Sequence, residues 1–247
     1  MNKWLHSWAA PMVFYDRAGR LLLPLWMLAV VLTGIGVVWG LFLAPADYLQ
    51  GDAFRIIYVH VPSAWMAMFV YMFMASAALV ALVWRVKLAE VLARESAPIG
   101  AVFTALALAT GSLWGKPMWG TWWVWDARLT SVLLLLFLYL GFIGLQSAID
   151  DRRLAARAGA VLALVGVVNI PIIHYSVVWW NTLHQGASVS RLDAPAIDPS
   201  MLWPLLLVAA GFTSYFGALL LLRARLEILA REAGRRWVAE RLQVAEQ

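Results

Sequence analysis

No cysteine occurs among the 247 residues, and that absence removes disulfides, thiolate metal sites and thiol redox chemistry together. Charge is scarce too. Asp, Glu, Lys and Arg supply 13% of the chain against a hydrophobic share of 63%, where a soluble domain carries about a quarter charged residues. There are four histidines, and no two fall at the H-E-x-x-H or H-x-x-x-H spacing of a zinc hydrolase. A P-loop, an internal repeat, a low-complexity linker and a second soluble domain are also missing. The first residues, MNKWLHSWAAPMVFYDRAGR, lack a continuous apolar core with a small-residue cleavage site, so they read as retained rather than as a removable signal peptide.

What the chain does have is apolar length, with a mean hydropathy of +0.77. Six apolar runs can be drawn, at about 21–43, 60–84, 97–113, 129–147, 158–178 and 201–222. Each is near the roughly 20 residues that cross a bilayer core. A lipid-exposed backbone must satisfy its own hydrogen bonds, so these runs are expected to be helices, and the class to be an all-α integral membrane protein. The net charge of +5 and pI near 9.8 first suggest nucleic acid. However, 15 of the 19 Lys and Arg residues fall on one side of the spans, in the N-terminus, 85–94, 150–157 and the C-terminal tail. The positive-inside rule then places both termini in the cytoplasm, and no nucleic-acid partner is needed.

Pro98 and Pro204 are expected in the first turns of spans three and six, and Pro62 near the start of span two, where a missing N–H is tolerated. Pro171 should kink span five or loosen its outer third. The division expected is a transmembrane domain over 1–222 and a cytoplasmic amphipathic helix over 223–247.

Function facing outward must come from 44–59, 114–128, 179–200 and the helix ends beneath them. His60 opens span two at the outer surface, and His184 lies just past span five. The two share one membrane level, as two axial ligands of one metallocofactor would, and neutral imidazole is a common ligand of haem iron. A hydrogen-bonded interfacial histidine is the plainer reading of each, and both readings stand open. His174 lies about one turn deeper, and His6 sits on the cytoplasmic arm with little to recommend it.

Tryptophan is abundant and lopsided. Ten of the fifteen lie on the outer side, whereas Trp4, Trp8, Trp26, Trp84 and Trp237 lie on the inner. An aromatic belt populates both interfaces, so it does not produce such an excess. The densest stretch is WGTWWVWDARLTS, 119–131. A short interfacial helix after Pro117 would put Trp119, Trp122, Trp123 and Asp126 on one face, with Trp125 and Arg128 toward another. Indoles beside a cation suit a large planar ligand bearing carboxylates. Haem has that form, and Arg55 and Arg128 are candidates for its propionates, with Lys116 a weaker one. Asp126 would be costly unpaired, and a structural role bonding Arg128, an indole N–H or backbone donors is expected.

The same stretch resembles the tryptophan-rich WWD signature, approximately W-G-x-W-W-x-W-D-x-R-L-T, of the haem-handling proteins of cytochrome c biogenesis. Six spans, cytoplasmic termini and an outer histidine on each side of the motif extend the likeness over nearly the whole chain. Its short length is similar to the cytochrome c maturation protein C family, also called haem exporter protein C, rather than to larger WWD members. The resemblance implies a multi-pass protein of the bacterial inner membrane, with the WWD segment (114–131) on the periplasmic face. It implies haem b (iron protoporphyrin IX) between His60 and His184 as iron ligands, on a platform including Trp114, Trp119, Trp122, Trp123, Trp125, Asp126 and Arg128.

It further implies delivery of haem to a membrane-anchored periplasmic haem chaperone, which captures a vinyl group through its own histidine. Work beside ABC transporter subunits and a small single-span membrane subunit, among membrane lipids, is implied as well. The chain would then be a transfer protein rather than an enzyme, at most assisting covalent haem attachment to the chaperone. Two other classes are compatible with the composition: a haem b cytochrome subunit of a quinol-linked redox complex, and a cofactor-free membrane assembly subunit.

Overall fold

A computed structural model describes residues 10–186, 189 and 194–245. His6, Trp4, Trp8 and Arg191 lie outside the described residues. Among those described, the regular structure is helical, apart from one isolated Asp47–Gly51 bridge. Helix α1 (Pro11–Val38) ends in a π-helical turn (Trp39–Leu43). A short 3-10 turn (Asp52–Ile56) leads into α2 (Ile57–Trp84), which is followed by α3 (Lys87–Trp119) and α4 (Ala127–Ala148). Next come α5 (Arg152–Gly166), α6 (Asn169–Trp179), α7 (Pro199–Arg231) and α8 (Arg236–Ala245).

Six helical segments are long and apolar enough to cross a membrane: Pro11–Leu43, Asp52–Trp84, Lys87–Trp119, Ala127–Ala148, Arg152–Trp179 and Pro199–Arg231. The protein is a multi-pass membrane protein. Helix α2 is central, against α3, α5 and α7, whereas α1 packs chiefly on α7. Glycine permits that close approach. A Cβ at Gly36 would meet the Pro204 carbonyl and the Val208 amide at 2.9 Å, and one at Gly211 would strike Thr33.

Several helices run further than the apolar runs that mark them. Helix α3 begins at Lys87 rather than Ala97, so Pro98 lies in its interior and not in its first turn. Helix α7 continues unbroken from Pro199 to Arg231, past the expected exit at Leu222, with Pro204 inside it. Partnered charge explains the extension. Arg231 lies 2.7 Å from both Glu90 and Glu227, and Arg223 lies 2.8 Å from buried Glu95. A hydropathy window sees those charges, but not the opposite charges on the neighbouring helix.

Local signals set the remaining ends. Asp126, Asp151 and Asp198 cap α4, α5 and α7 by accepting from the amides of Leu129, Arg153 and Leu154, and Ser200 respectively. Gly120, at φ 74°, closes α3 in the left-handed conformation. The fifth span is broken between Gly166 and Asn169, just before Pro171. A proline has no N–H for the preceding turn and clashes with its carbonyl, which accounts for a break at that place.

Candidate functional site

At the end of the bundle that holds the α3–α4 connection, a cavity of about 380 Å³ is enclosed by α2, α3, α4, α6 and the segment after α6. Its size falls within the roughly 300–1,000 Å³ of cofactor pockets. His60, Trp65, Trp114, Trp119, Trp123, Arg128, His174 and His184 all line it. Most of the remaining wall is apolar, including Val61, Leu108, Met118 and Val132.

The tryptophan stretch does not form the expected interfacial helix. Pro117 lies in the last turn of α3, Gly120 turns the chain, 120–126 is irregular, and Asp126 starts α4. Within the turn, the Thr121 hydroxyl accepts from the Trp123 amide at 3.4 Å and donates to the Trp123 carbonyl at 3.1 Å. A left-handed glycine followed by a helix cap leaves no room for a helix between them. The indoles therefore do not share one helical face. Trp119 and Trp123 face the cavity, whereas Trp122 (54% exposed) and Trp125 (75% exposed) are outside its lining. Lys116 sits over the Trp122 ring at 5.9 Å and donates to the Gly120 carbonyl.

His60 and His184 come together with ring centres 6.2 Å apart and planes 31° apart. Two imidazoles on opposite sides of one metal, each nitrogen roughly 2 Å from it, have ring centres about 6 Å apart. His60 Nδ1 lies 3.0 Å from Thr110 Oγ1, and that hydroxyl sends its only proton to the Leu106 carbonyl at 2.7 Å. Thr110 therefore accepts, and Nδ1 carries the ring proton. Gly111 leaves space for this edge of the ring, since a Cβ there would lie 3.0 Å from Cε1 but 4.0 Å from Nε2. His184 Nδ1 lies 3.1 Å from the Gln185 carbonyl, which can only accept. Both histidines are thus set as the tautomer with a bare Nε2 lone pair, as imidazole ligation requires. Burial, with the nearby Arg128 cation, pushes the His184 pKa below its usual value and keeps that lone pair free at neutral pH.

Each imidazole also has an indole neighbour: Trp114 at 5.6 Å from His60 and Trp119 at 6.0 Å from His184. The Trp114 N–H donates to Gln50 Oε1 at 2.9 Å, and the Gln50 amide donates to Gln185 Oε1 at 3.3 Å. That chain links the segment between the π-helical and 3-10 turns, α3 and the loop bearing His184. Thr110, Gly111, Gln50 and Gln185 escape a sequence reading, because no spacing or hydropathy signal marks them.

Arg128 donates to Ser176 Oγ at 3.2 Å and to the carbonyls of Ile173 and His174 at 3.2 and 3.1 Å. It is thereby fixed between α4 and α6 at the cavity wall. Arg55 is placed elsewhere. Its guanidinium pairs with Asp52 at 2.8 Å and donates to the carbonyls of Gly40 and Ala44, within and just past the π-helical turn. It is outside the cavity lining. Asp126 Oδ1 caps α4 at 2.8 Å from the Leu129 amide. Among the described residues, Asp126 Oδ2 and the Trp123 indole N–H are buried without a partner, a state that costs on the order of 1–3 kcal/mol per group unless a ligand or water meets it.

No group of three or more His, Asp or Glu side chains able to hold a bare metal ion occurs among the described residues. Two imidazoles at this separation suit an iron whose other positions are already filled, as in a porphyrin. An apolar slot, a buried indole N–H and an arginine likewise fit a flat apolar body with carboxylate tails.

Fold and site together define a multi-pass helical membrane protein with a paired-histidine, tryptophan-lined cavity at one end of the bundle. The family description of heme exporter protein C matches residues 4–239. The chain is 54% identical over 238 residues to the heme exporter protein C of Haemophilus influenzae, covering 96% of this chain and 97% of that protein. It is 54% identical over 240 residues to the heme exporter protein C of Escherichia coli K12, covering 97% of each. A putative cytochrome c biosynthesis ccmC-like mitochondrial protein of Marchantia polymorpha is 44% identical over 199 residues, covering 81% of this chain and 84% of its own length. The chain belongs to the heme exporter protein C family.

Proposed function

We propose that this protein holds haem b between His60 and His184 and delivers it to a membrane-anchored periplasmic haem chaperone during c-type cytochrome biogenesis. The observation that carries this reading is the pair of bare Nε2 lone pairs on rings 6.2 Å apart. Family membership supports haem as the cargo. Trp119 and Trp123 form the aromatic wall, while Arg128 and the unpartnered Trp123 N–H receive a propionate. The protein is a carrier that binds, orients and releases rather than an enzyme.

The distribution of Lys and Arg supports cytoplasmic termini and an outward-facing cavity in the bacterial inner membrane. The chain has no P-loop, so ATP-driven steps fall to ABC transporter subunits of the same system, with a small single-span subunit beside them. The test is to co-express the protein with its chaperone and measure haem content and chaperone loading for wild type, His60→Ala and His184→Ala. A fall in both quantities is expected, larger in His60→Ala than in His184→Ala. Full haem content and full loading in both variants would sink the ligand assignment.

A further inference from the structure

The cavity has a neighbour. A groove of about 420 Å³ opens on the outside of the bundle, between α2 and the α5–α6 break. Phe69, Met72, Val167, Ile170 and Pro171 give it an apolar lining. Phe69 and Met72 are exposed within a membrane-spanning helix, a position open to acyl chains in a bilayer. Two side chains, Met68 and His174, line both the groove and the cavity. They form the partition between lipid and site.

The two side chains of that partition are free to move, although the backbone of α6 is tied to α4. Methionine is unbranched and repacks readily. The His174 imidazole makes no hydrogen bond among the described residues, and its ring contact is an edge against Tyr175 at 4.7 Å. The backbone carrying it follows the interrupted stretch before Asn169, whose side chain ties α6 to α4 by donating to the Ser131 carbonyl at 2.8 Å. An acyl chain in the groove would account for the phenylalanine and methionines. It would not account for an exposed, unpartnered histidine at the partition, because a polar group facing hydrocarbon is unfavourable without a role.

We propose that Met68 and His174 form a lateral portal through which haem enters the cavity from the adjoining half of the bilayer. His174 acts as a transient iron ligand on the way to the His60–His184 pair. This rests on the haem-holding reading above. The step exchanges one neutral imidazole lone pair for another at the iron, so no electron or proton is gained or lost.

The full-length protein in phosphatidylcholine–phosphatidylglycerol vesicles provides the test. Ferric haem is supplied either dissolved beforehand in the bilayer or from water on serum albumin, and growth of the two-imidazole absorption spectrum is timed. Met72→Trp fills the groove from the lipid side, at a position outside the cavity lining. It should slow loading from the bilayer by about tenfold while leaving loading from water within about twofold. His174→Leu should slow the bilayer route more than the water route. Unchanged bilayer rates in both variants would overturn the portal and leave the groove to lipid chains. Equal slowing of both routes would overturn it as well, by pointing to a general packing effect. A wild-type protein that develops no two-imidazole spectrum by either route would instead overturn the haem-holding reading.

Discussion

His60 and His184 meet in one cavity but belong to different kinds of structure. His60 is 8% exposed on a long helix, with Thr110 at its Nδ1, Gly111 behind its ring and Trp114 at its edge. His184 is half-buried on a loop, and its Nδ1 rests on the carbonyl of the next residue. The loop is linked to the facing rim by the exposed Gln50–Gln185 bond at 3.3 Å. A helix buried on several faces opens only with much of the fold, whereas a loop with exposed bonds opens at little cost. The difference suits the proposed carrier, in which the helical histidine would retain the cargo and the loop histidine would exchange with an acceptor's ligand.

The strongest way to break that contrast is to remove the helical anchor. His60→Ala should lower haem affinity by more than about 100-fold, beyond the 10–100-fold cost of losing a residue that only supports a ligand. Equilibrium titration followed by absorption measures it. Thr110→Val leaves His60 in place but removes the acceptor at Nδ1, so the same titration should show about a 10–100-fold loss, largely restored in Thr110→Ser. If valine binds as well as threonine, the tautomer is set by something else.

His184→Ala should cost less, about tenfold, and should appear mainly as faster release, since affinity differences at one site reside chiefly in dissociation rates. Haem transfer to an apo-globin trap reads that rate, and an effect as large as that of His60→Ala would erase the proposed asymmetry. Gln185→Ala removes only an exposed side-chain bond. It should cost about 0.5 kcal/mol, or little more than a twofold faster release in the same trap.

Much of the frame is legible in the residues. Apolar runs mark six membrane-crossing helices, because length and hydropathy are what a bilayer selects. The histidines flanking the tryptophan stretch can be picked out as well, since two histidines at one end of the spans and one-sided indoles need explaining. The course of 120–126 is not legible by periodicity, which offers a helical face where Gly120 and the Asp126 cap instead impose a turn. Arg55 shows a second limit. A cation near His60 suits a propionate or backbone carbonyls equally well, and only the π-helical turn, which no residue pattern announces, selects the carbonyls. Thr110 is a third case. A threonine inside an apolar helix ordinarily bonds back to its own helix, and its second use shows only once α2 lies against α3.

The most direct test of the paired-histidine site is the spin state of ferric haem bound at saturation, read by electron paramagnetic resonance with absorption. Wild type should show a low-spin, six-coordinate iron with two imidazole ligands. His60→Ala and His184→Ala should each yield a high-spin, five-coordinate iron. An unchanged low-spin signal in either variant would contradict the account, because that iron would be taking its sixth ligand from somewhere other than this pair.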